Sequence, residues 1–452
     1  MTWSAFLGLG IASFLSGIFG YVLTVRLLPK TLHSRFALAF APGVGLGLSS
    51  LIFLTFRRPI RSVELELLIV LVIAWLHRRR HMSFSRLLPS SFRTSAVALI
   101  VANALGLATV ALLLRIHRMP DGNVDGWAIW NTHARLLYRA GSDWQAILPY
   151  TFLGDYPLLA PGVAARFWRY ASQEVPEAGA LLGVVGGLSS VALLALMLRE
   201  LRDAGIAFVF SLTLLGTPLY LDHSTSQYAD VPLSFFMLGT IALICLYFEH
   251  DPEHAGLLVL AGFAAGCAGW TKNEGLLFIL AVSTALFALL LLKHLKASRL
   301  LVPFYSGMLL PILVIVIFKI IVAPQNYLLN DQGQATFQRI LTWDRHLTIL
   351  HEAGRLFWTF GLWTISPMIP LFAFVALRGV DLQSLRSSGS FAAFVTLVVT
   401  VAGYYLVYLT TPLDLHYHLA SSLDRLMIHL WPSFLLLLGL AARPASGTHS
   451  EF

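Results

Sequence analysis

Charge is what this sequence has least of: only 12% of its 452 residues are Asp, Glu, Lys or Arg, where a soluble chain carries about 25%. With 57% hydrophobic residues and a mean hydropathy of +0.75, the composition excludes an ordinary soluble domain. Cysteine is nearly absent. Cys245 and Cys267 both lie inside apolar stretches, which excludes a disulfide framework or a cysteine metal site and leaves two buried thiols. There is no low-complexity linker, and no internal repeat of the kind that marks many secondary transporters. No Gly-rich nucleotide-binding loop is present. The net charge of +8 does not point to nucleic acid, because the basic residues sit at the ends of apolar runs and not along an aromatic-basic surface.

What is there is one apolar run after another, each about 20 residues long, the length a helix needs to cross the hydrocarbon core. Backbone polar groups cannot go unpaired in lipid, and the alternation of a β-barrel is missing, so the runs predict α-helices. The expected fold class is an all-α polytopic integral membrane protein of about 13 spans. Their centres fall near Ser13, Gly45, Val70, Asn103, Gly187, Leu212, Leu238, Ala261, Ala281, Leu313, Ile365, Thr400 and Leu436. Gly262, Gly266 and Gly269 give the eighth span a small-residue face for close helix packing.

The first run, Thr2 to Val25, has no basic segment before it, while Arg26, Lys30 and Arg35 follow it. That order predicts a retained first helix with its N-terminus outside. Arg78 to Arg93, Arg199/Arg202, Lys293/Lys296/Arg299, Arg378/Arg386 and Arg443 then fall in short inner loops, with Arg57, Arg58 and Arg61 as the exception to the positive-inside rule. The chain divides into N-terminal helices over 1–93, a core over 94–442 and a short inner tail over 443–452. The outer loop 115–177 is longer than a connection requires. Two amphipathic stretches within it, Asp125–Arg139 and Pro161–Tyr170, set bulky aromatics against Arg and predict helices lying in the headgroup layer.

Five polar segments gather on that outer face. Asp121-Gly-Asn-Val-Asp125-Gly-Trp127-Ala-Ile-Trp130 offers two carboxylates beside two indoles, a general base next to a sugar-stacking platform; Asp125 also fits a helix N-cap. Gly154-Asp155-Tyr156-Pro157 reads as a turn or as a further carboxylate brought to the first. Tyr228-Ala-Asp230 opens an apolar helix, where an ionised group facing lipid costs roughly 2.5–3.5 kcal/mol at mid-helix, so Asp230 faces protein or water. Lys272-Asn-Glu274 is a short hairpin tip in which Lys272 suits a lipid-linked phosphate. In Asp414-Leu-His416-Tyr-His418 and Asp424-Arg425, the histidines are two metal ligands without a third, more often structural, and Arg425 suits a phosphate or pairs with Asp424.

The runs DGWAIWNTHARLLYRAG, DYPLLAP, YADVPL, WTKNEG and DLHYHLASSLDRL, in that order, resemble the GT-C superfamily of lipid-phosphosugar-dependent glycosyltransferases. They are most similar to the bacterial relatives of the protein O-mannosyltransferase and aminoarabinose transferase group. The chain departs from the commonest arrangement, in which the Asp-bearing loop follows the first helix, by placing three helices over 1–93 ahead of the core. The resemblance implies a polyprenyl-phosphate sugar donor, a lipid, glycan or protein acceptor at the outer face of the cell membrane, and inverting transfer. It implies Asp125 as base; face and charge add Asp121 as second choice, Asp155 on the acceptor side, and Lys272 and Arg425 on the leaving phosphate. Asp230 and Glu274 order the site, and Trp127, Trp130, Tyr156, Tyr228, His416 and His418 complete the substrate-binding set. No metal ligands are assigned; a divalent cation is the one cofactor the pattern leaves open. The competing expectations are a flippase of lipid-linked glycans and an O-antigen-type polymerase or ligase, the latter using His416, His418, Arg339 and Arg345.

Overall fold

Runs this apolar have one way to satisfy their backbones away from water, and in the computed structural model they take it. The structure describes residues 2–30, 32, 34–55, 69, 96–141, 143–250, 252–326 and 333–445. Among these residues all regular secondary structure is helical, apart from a single antiparallel bridge between Val380 and Ala442.

Among the described residues nine helices are long and apolar enough to span a membrane: α1 (Trp3–Leu27), α2 (Ser34–Thr55), α3 (Ala96–Arg118), α6 (Ala178–Leu201), α9 (Asp230–Glu249), α11 (Asn273–Leu292), α12 (Ala297–Ile321), α16 (Ser388–Thr410) and α17 (Leu415–Ala441). Each answers one of the expected runs. The run centred on Val70, the basic positions 57–61 and 78–93, and most of the tail 446–452 lie outside the described residues. The other three runs differ from simple spans. That near Leu212 is α7 (Ala204–Gly216) followed by α8 (Pro218–Thr225), bent by 58° where Pro218 starts a new helix. That near Ala261 is α10 (Ala255–Thr271), 17 residues long. The expected span around Ile365 is broken. Gly361 and Leu362 have φ of +94° and +60°, Pro367 follows, and only α15 (Met368–Arg378), with Pro370 in its first turn, continues beyond.

Helix α9 is the axis of the bundle, with every residue from Asp230 to Tyr247 buried against α6, α10, α16 and α17. The small-residue face of α10 packs as expected: a Cβ on Gly262 would lie 1.8 Å from the Phe304 carbonyl of α12.

The long loop folds as a π-helical turn (Gly126–Asn131), α4 (Thr132–Arg139) and, after two short turns, α5 (Leu159–Ala171). Both amphipathic stretches are helical, but α5 is not a surface helix. Leu159 through Trp168 are buried against α1, α2 and α4, and Arg166 donates to the Ala12 carbonyl and Ser16 Oγ. Protein, not the headgroup layer, receives its apolar side. Two amphipathic helices whose apolar faces stay exposed are α13 (Gln334–Leu341) and α14 (Trp343–Thr359), which present Phe337, Trp343, Leu347 and Trp358. Asp344, Arg345, His351, Glu352 and Arg355 make that stretch too polar to cross a membrane.

The end of the bundle opposite the long loop is held shut by local contacts. Arg202 donates to the Leu440 carbonyl, Arg378 pairs with Asp203, and His254 meets the Leu27 carbonyl. The basic residues assigned to inner loops, Arg26, Arg199, Arg202, Arg299, Arg378 and Arg443, all lie at this end, as the charge asymmetry requires.

Candidate active site at one end of the bundle

The Asp121–Trp130 segment meets the turn before α9 backbone to backbone. Asn123 N–H donates to the Ser226 carbonyl at 3.0 Å. Gly122, at φ +77°, and Gly126 leave no room for side chains, since a Cβ on either would lie 2.3 or 2.5 Å from the same carbonyl. This close approach explains both glycines of the DGNVDG run. Asn131 donates to Gln227 Oε1 at 2.8 Å and Gln227 donates to the Pro120 carbonyl at 2.5 Å, which ties the turn that leads into Asp230 to the loop that carries Asp125.

Asp125 makes no side-chain cap. Its Oδ2 accepts from Arg425 Nη1 at 2.6 Å, and its backbone N–H donates to Tyr228 Oη at 3.2 Å. The Arg425 guanidinium lies 4.6 Å from the Tyr228 ring centroid and uses Nε to reach Asp230 Oδ2 at 3.1 Å. Its guanidinium therefore bridges two carboxylates from distant elements and does not turn to neighbouring Asp424. Burial raises the Tyr228 hydroxyl above its ordinary range, so it stays protonated.

Asp230, with no exposed surface, also accepts from Lys272 Nζ at 2.8 Å and His429 Nε2 at 2.7 Å. Lys272 Nζ sits 2.9 Å from Glu274 Oε1, while Glu274 Oε2 is buried without a partner. His429 Nδ1 faces the Tyr404 hydroxyl at 3.1 Å. With Nε2–H turned to the carboxylate, the neutral ring accepts there and Tyr404 donates. His223 Nδ1 stands 3.9 Å from Asp230 Oδ2. Three carboxylates and two permanent cations are thus joined from the long loop, α9, the 272–274 tip and α17.

Asp155 belongs to a neighbouring cluster: its Oδ2 accepts from Asn273 and Asn326, each at 2.8 Å. Tyr156 beside it packs on Trp130, ring centroids 5.7 Å apart. Asp121 turns away to Arg135 at 2.8 Å. His418 bonds Thr411 and His416 is exposed; neither joins the charge network, because the first turns of α17 carry them past it. Trp130 is buried, leaving Trp127 as the exposed indole. Arg339 and Arg345 bind the last carbonyls of α16. Among the described residues no group of three or more His, Cys, Asp or Glu side chains is arranged to hold a metal ion. Sequence reasoning missed His429, Tyr404, Lys319 and Asn273. His429 had a signal, an imidazole in an apolar run four residues after Arg425 and so on the same helix face.

Beside this network lies an apolar cavity of about 360 Å³ between α14, α16 and α17. Its lining includes Phe357, Leu397, Tyr404, Tyr408, Leu426 and Trp431. Tyr404 joins it to Asp230 through His429, and Leu426 follows Arg425 directly.

A family model described as dolichyl-phosphate-mannose-protein mannosyltransferase matches residues 165–331, a stretch that holds Asp230, Lys272 and Glu274. No curated protein matches the sequence. Two solved structures of ArnT from Cupriavidus metallidurans, one in the apo state and one bound to undecaprenyl phosphate, are similar with a TM-score of 0.47 at 15% and 14% identity. Each match covers 76% of this chain and 60% of ArnT, so the chain accounts for less than two thirds of those proteins' length. Over residues 165–331 the chain resembles the dolichyl-phosphate-mannose-protein mannosyltransferases, the group to which its motifs are similar.

Proposed function

We propose that this chain is a membrane glycosyltransferase that takes its sugar from a polyprenyl-phosphate donor at the outer face of the cell membrane. The observation that carries the reading is the apolar cavity set against a buried network of carboxylates and cations. A ligand suited to both has a long apolar chain joined to an anionic, hydroxyl-bearing head. The family resemblance over residues 165–331 supports the same class.

The chemistry divides among the chain's own groups. Asp125 Oδ1 has no hydrogen-bond or ion-pair partner among the described residues, and the side chain is 26% exposed; it takes the proton from the acceptor hydroxyl. The acceptor oxygen then bonds to the anomeric carbon from the face opposite the lipid phosphate, which leaves with the electron pair of its own bond, so the configuration inverts. Lys272 and Arg425 stabilise the charge growing on that phosphate in a site shielded from water. No step is assigned to a metal; activity with and without EDTA tests that point. The flippase reading needs access from both ends, and the opposite end is stapled by Arg202, Asp203 and Arg378.

Asp125→Asn is the direct test. It keeps the shape and the accepting oxygen toward Arg425 but removes the base, and transfer from a polyprenyl-phosphate sugar should fall by about 100- to 10,000-fold. Full activity in a folded Asp125→Asn variant removes Asp125 as the base.

A further inference from the structure

Lys319 lies near the end of α12, far in sequence from every motif, and its ammonium is the centre of a closed ring. It donates to the Asp155 carbonyl at 2.5 Å and to Asn273 Oδ1 at 2.8 Å, and stands 3.9 Å from Asp155 Oδ2. Asn273 returns the bond, its Nδ2 donating to Asp155 Oδ2 at 2.8 Å, and Asn326 donates to the same oxygen. Both ends of the Asn273 amide and both the backbone and the side chain of Asp155 are therefore spoken for. Asp155 is 3% exposed, and a buried carboxylate is stable only while such partners hold it.

The neighbours of the ring give it a functional bearing. Asn273 stands between Lys272 and Glu274, which enter the charge network, and it is the first residue of α11. Asp155 precedes Tyr156, whose ring packs on Trp130, five residues after Asp125. A shift of the ring moves the cation on one side and the wall of the carboxylate loop on the other. We propose that Lys319 is a positioning residue: with Asp155 and Asn273 it latches the long loop to the 272–274 tip and so fixes the spacing between the two halves of the site. The positioning role rests on the donor reading above; the latch itself does not.

The experiment uses the full chain in detergent with spin labels on Phe152→Cys and Leu313→Cys. Both positions are exposed, and the native cysteines are buried. The latch predicts one narrow distance distribution in the parent and a broad one after Lys319→Met. Asp155→Asn, which keeps the side-chain shape and removes its charge, broadens it as well and serves if Lys319→Met does not fold. An unbroadened distribution in either folded variant overturns the latch. Binding of undecaprenyl phosphate is measured on the same folded samples and should weaken about tenfold, the scale of one charge-assisted hydrogen bond. Unchanged affinity in a variant whose loop has come loose overturns the positioning role. If the parent does not bind undecaprenyl phosphate, the donor reading fails, and the distances alone decide the latch.

Discussion

A carboxylate with no exposed surface at the head of a membrane helix persists only when its lone pairs are filled, and Asp230 has Lys272, Arg425 and His429 to fill them. Such a cluster is poor economy for stability, since well-packed apolar side chains hold a core as firmly as buried ion pairs do. Its retention points to use. Arg425 is the sharpest case, because its planar fork reaches Asp125 and Asp230 together. Lysine keeps the charge but reaches one partner. Arg425→Lys is expected to cost about 1.5–3 kcal/mol of stability through the orphaned carboxylate, read as a lower melting temperature in detergent, and to lose most sugar transfer. A variant as stable and active as the parent contradicts the bridging role. The carboxylates and cations of this network were legible as residues, because charges stand out in an apolar chain. Their pairing was not, since Arg425 and Asp125 are 300 positions apart. Lys319 gave no local signal at all, because a lysine near a helix end reads as an interfacial anchor.

At the level of elements, the long loop over 115–177 is a folded unit with its own buried groups. His133 on α4 has no exposed surface. Its Nε2 faces the Phe152 carbonyl and Thr151 while Nδ1 has no partner. Burial pushes its pKa down to about 4 from 6.5. The unfolded loop therefore binds the proton first as pH falls: the stabilisation is intact above about 6.5 and drains away on the way down to about 4. Hydrogen–deuterium exchange over residues 126–171 should speed up across that window in the parent. His133→Gln, which keeps a donor and cannot titrate, should flatten the response; an equal acid response in both proteins contradicts this assignment. Periodicity found both helices of the loop, because Trp and Arg alternate on helical faces. It misplaced α5 in the headgroup layer, because a hydrophobic face packs as readily on α1 and α2 as on lipid. The broken stretch at 360–367 was hidden for a related reason: its average is apolar, and only Gly361, Pro367 and Pro370 mark it.

Among the described residues, the polar segments singled out by sequence lie at one end and the inner-loop arginines at the other, the asymmetry by which membrane insertion sets direction. The start of α1 shares the site's end, through the contact of Gly8 with the Tyr170 carbonyl, and Ala442 lies at the far end beside Val380. If the site faces outward, Asn123→Cys should react with an impermeant thiol reagent in intact cells and Lys296→Cys only after lysis. The reverse pattern inverts the orientation. The charge network and the cavity meet near the middle of α17, and the donor reading depends on that meeting. A cryo-EM map of the protein with undecaprenyl phosphate therefore tests it most directly. The account predicts a tail running along Phe357, Leu397 and Trp431, with its phosphate in contact with Arg425 and Lys272. A tail bound against other helices, with the cavity empty and the phosphate away from Arg425, would contradict it.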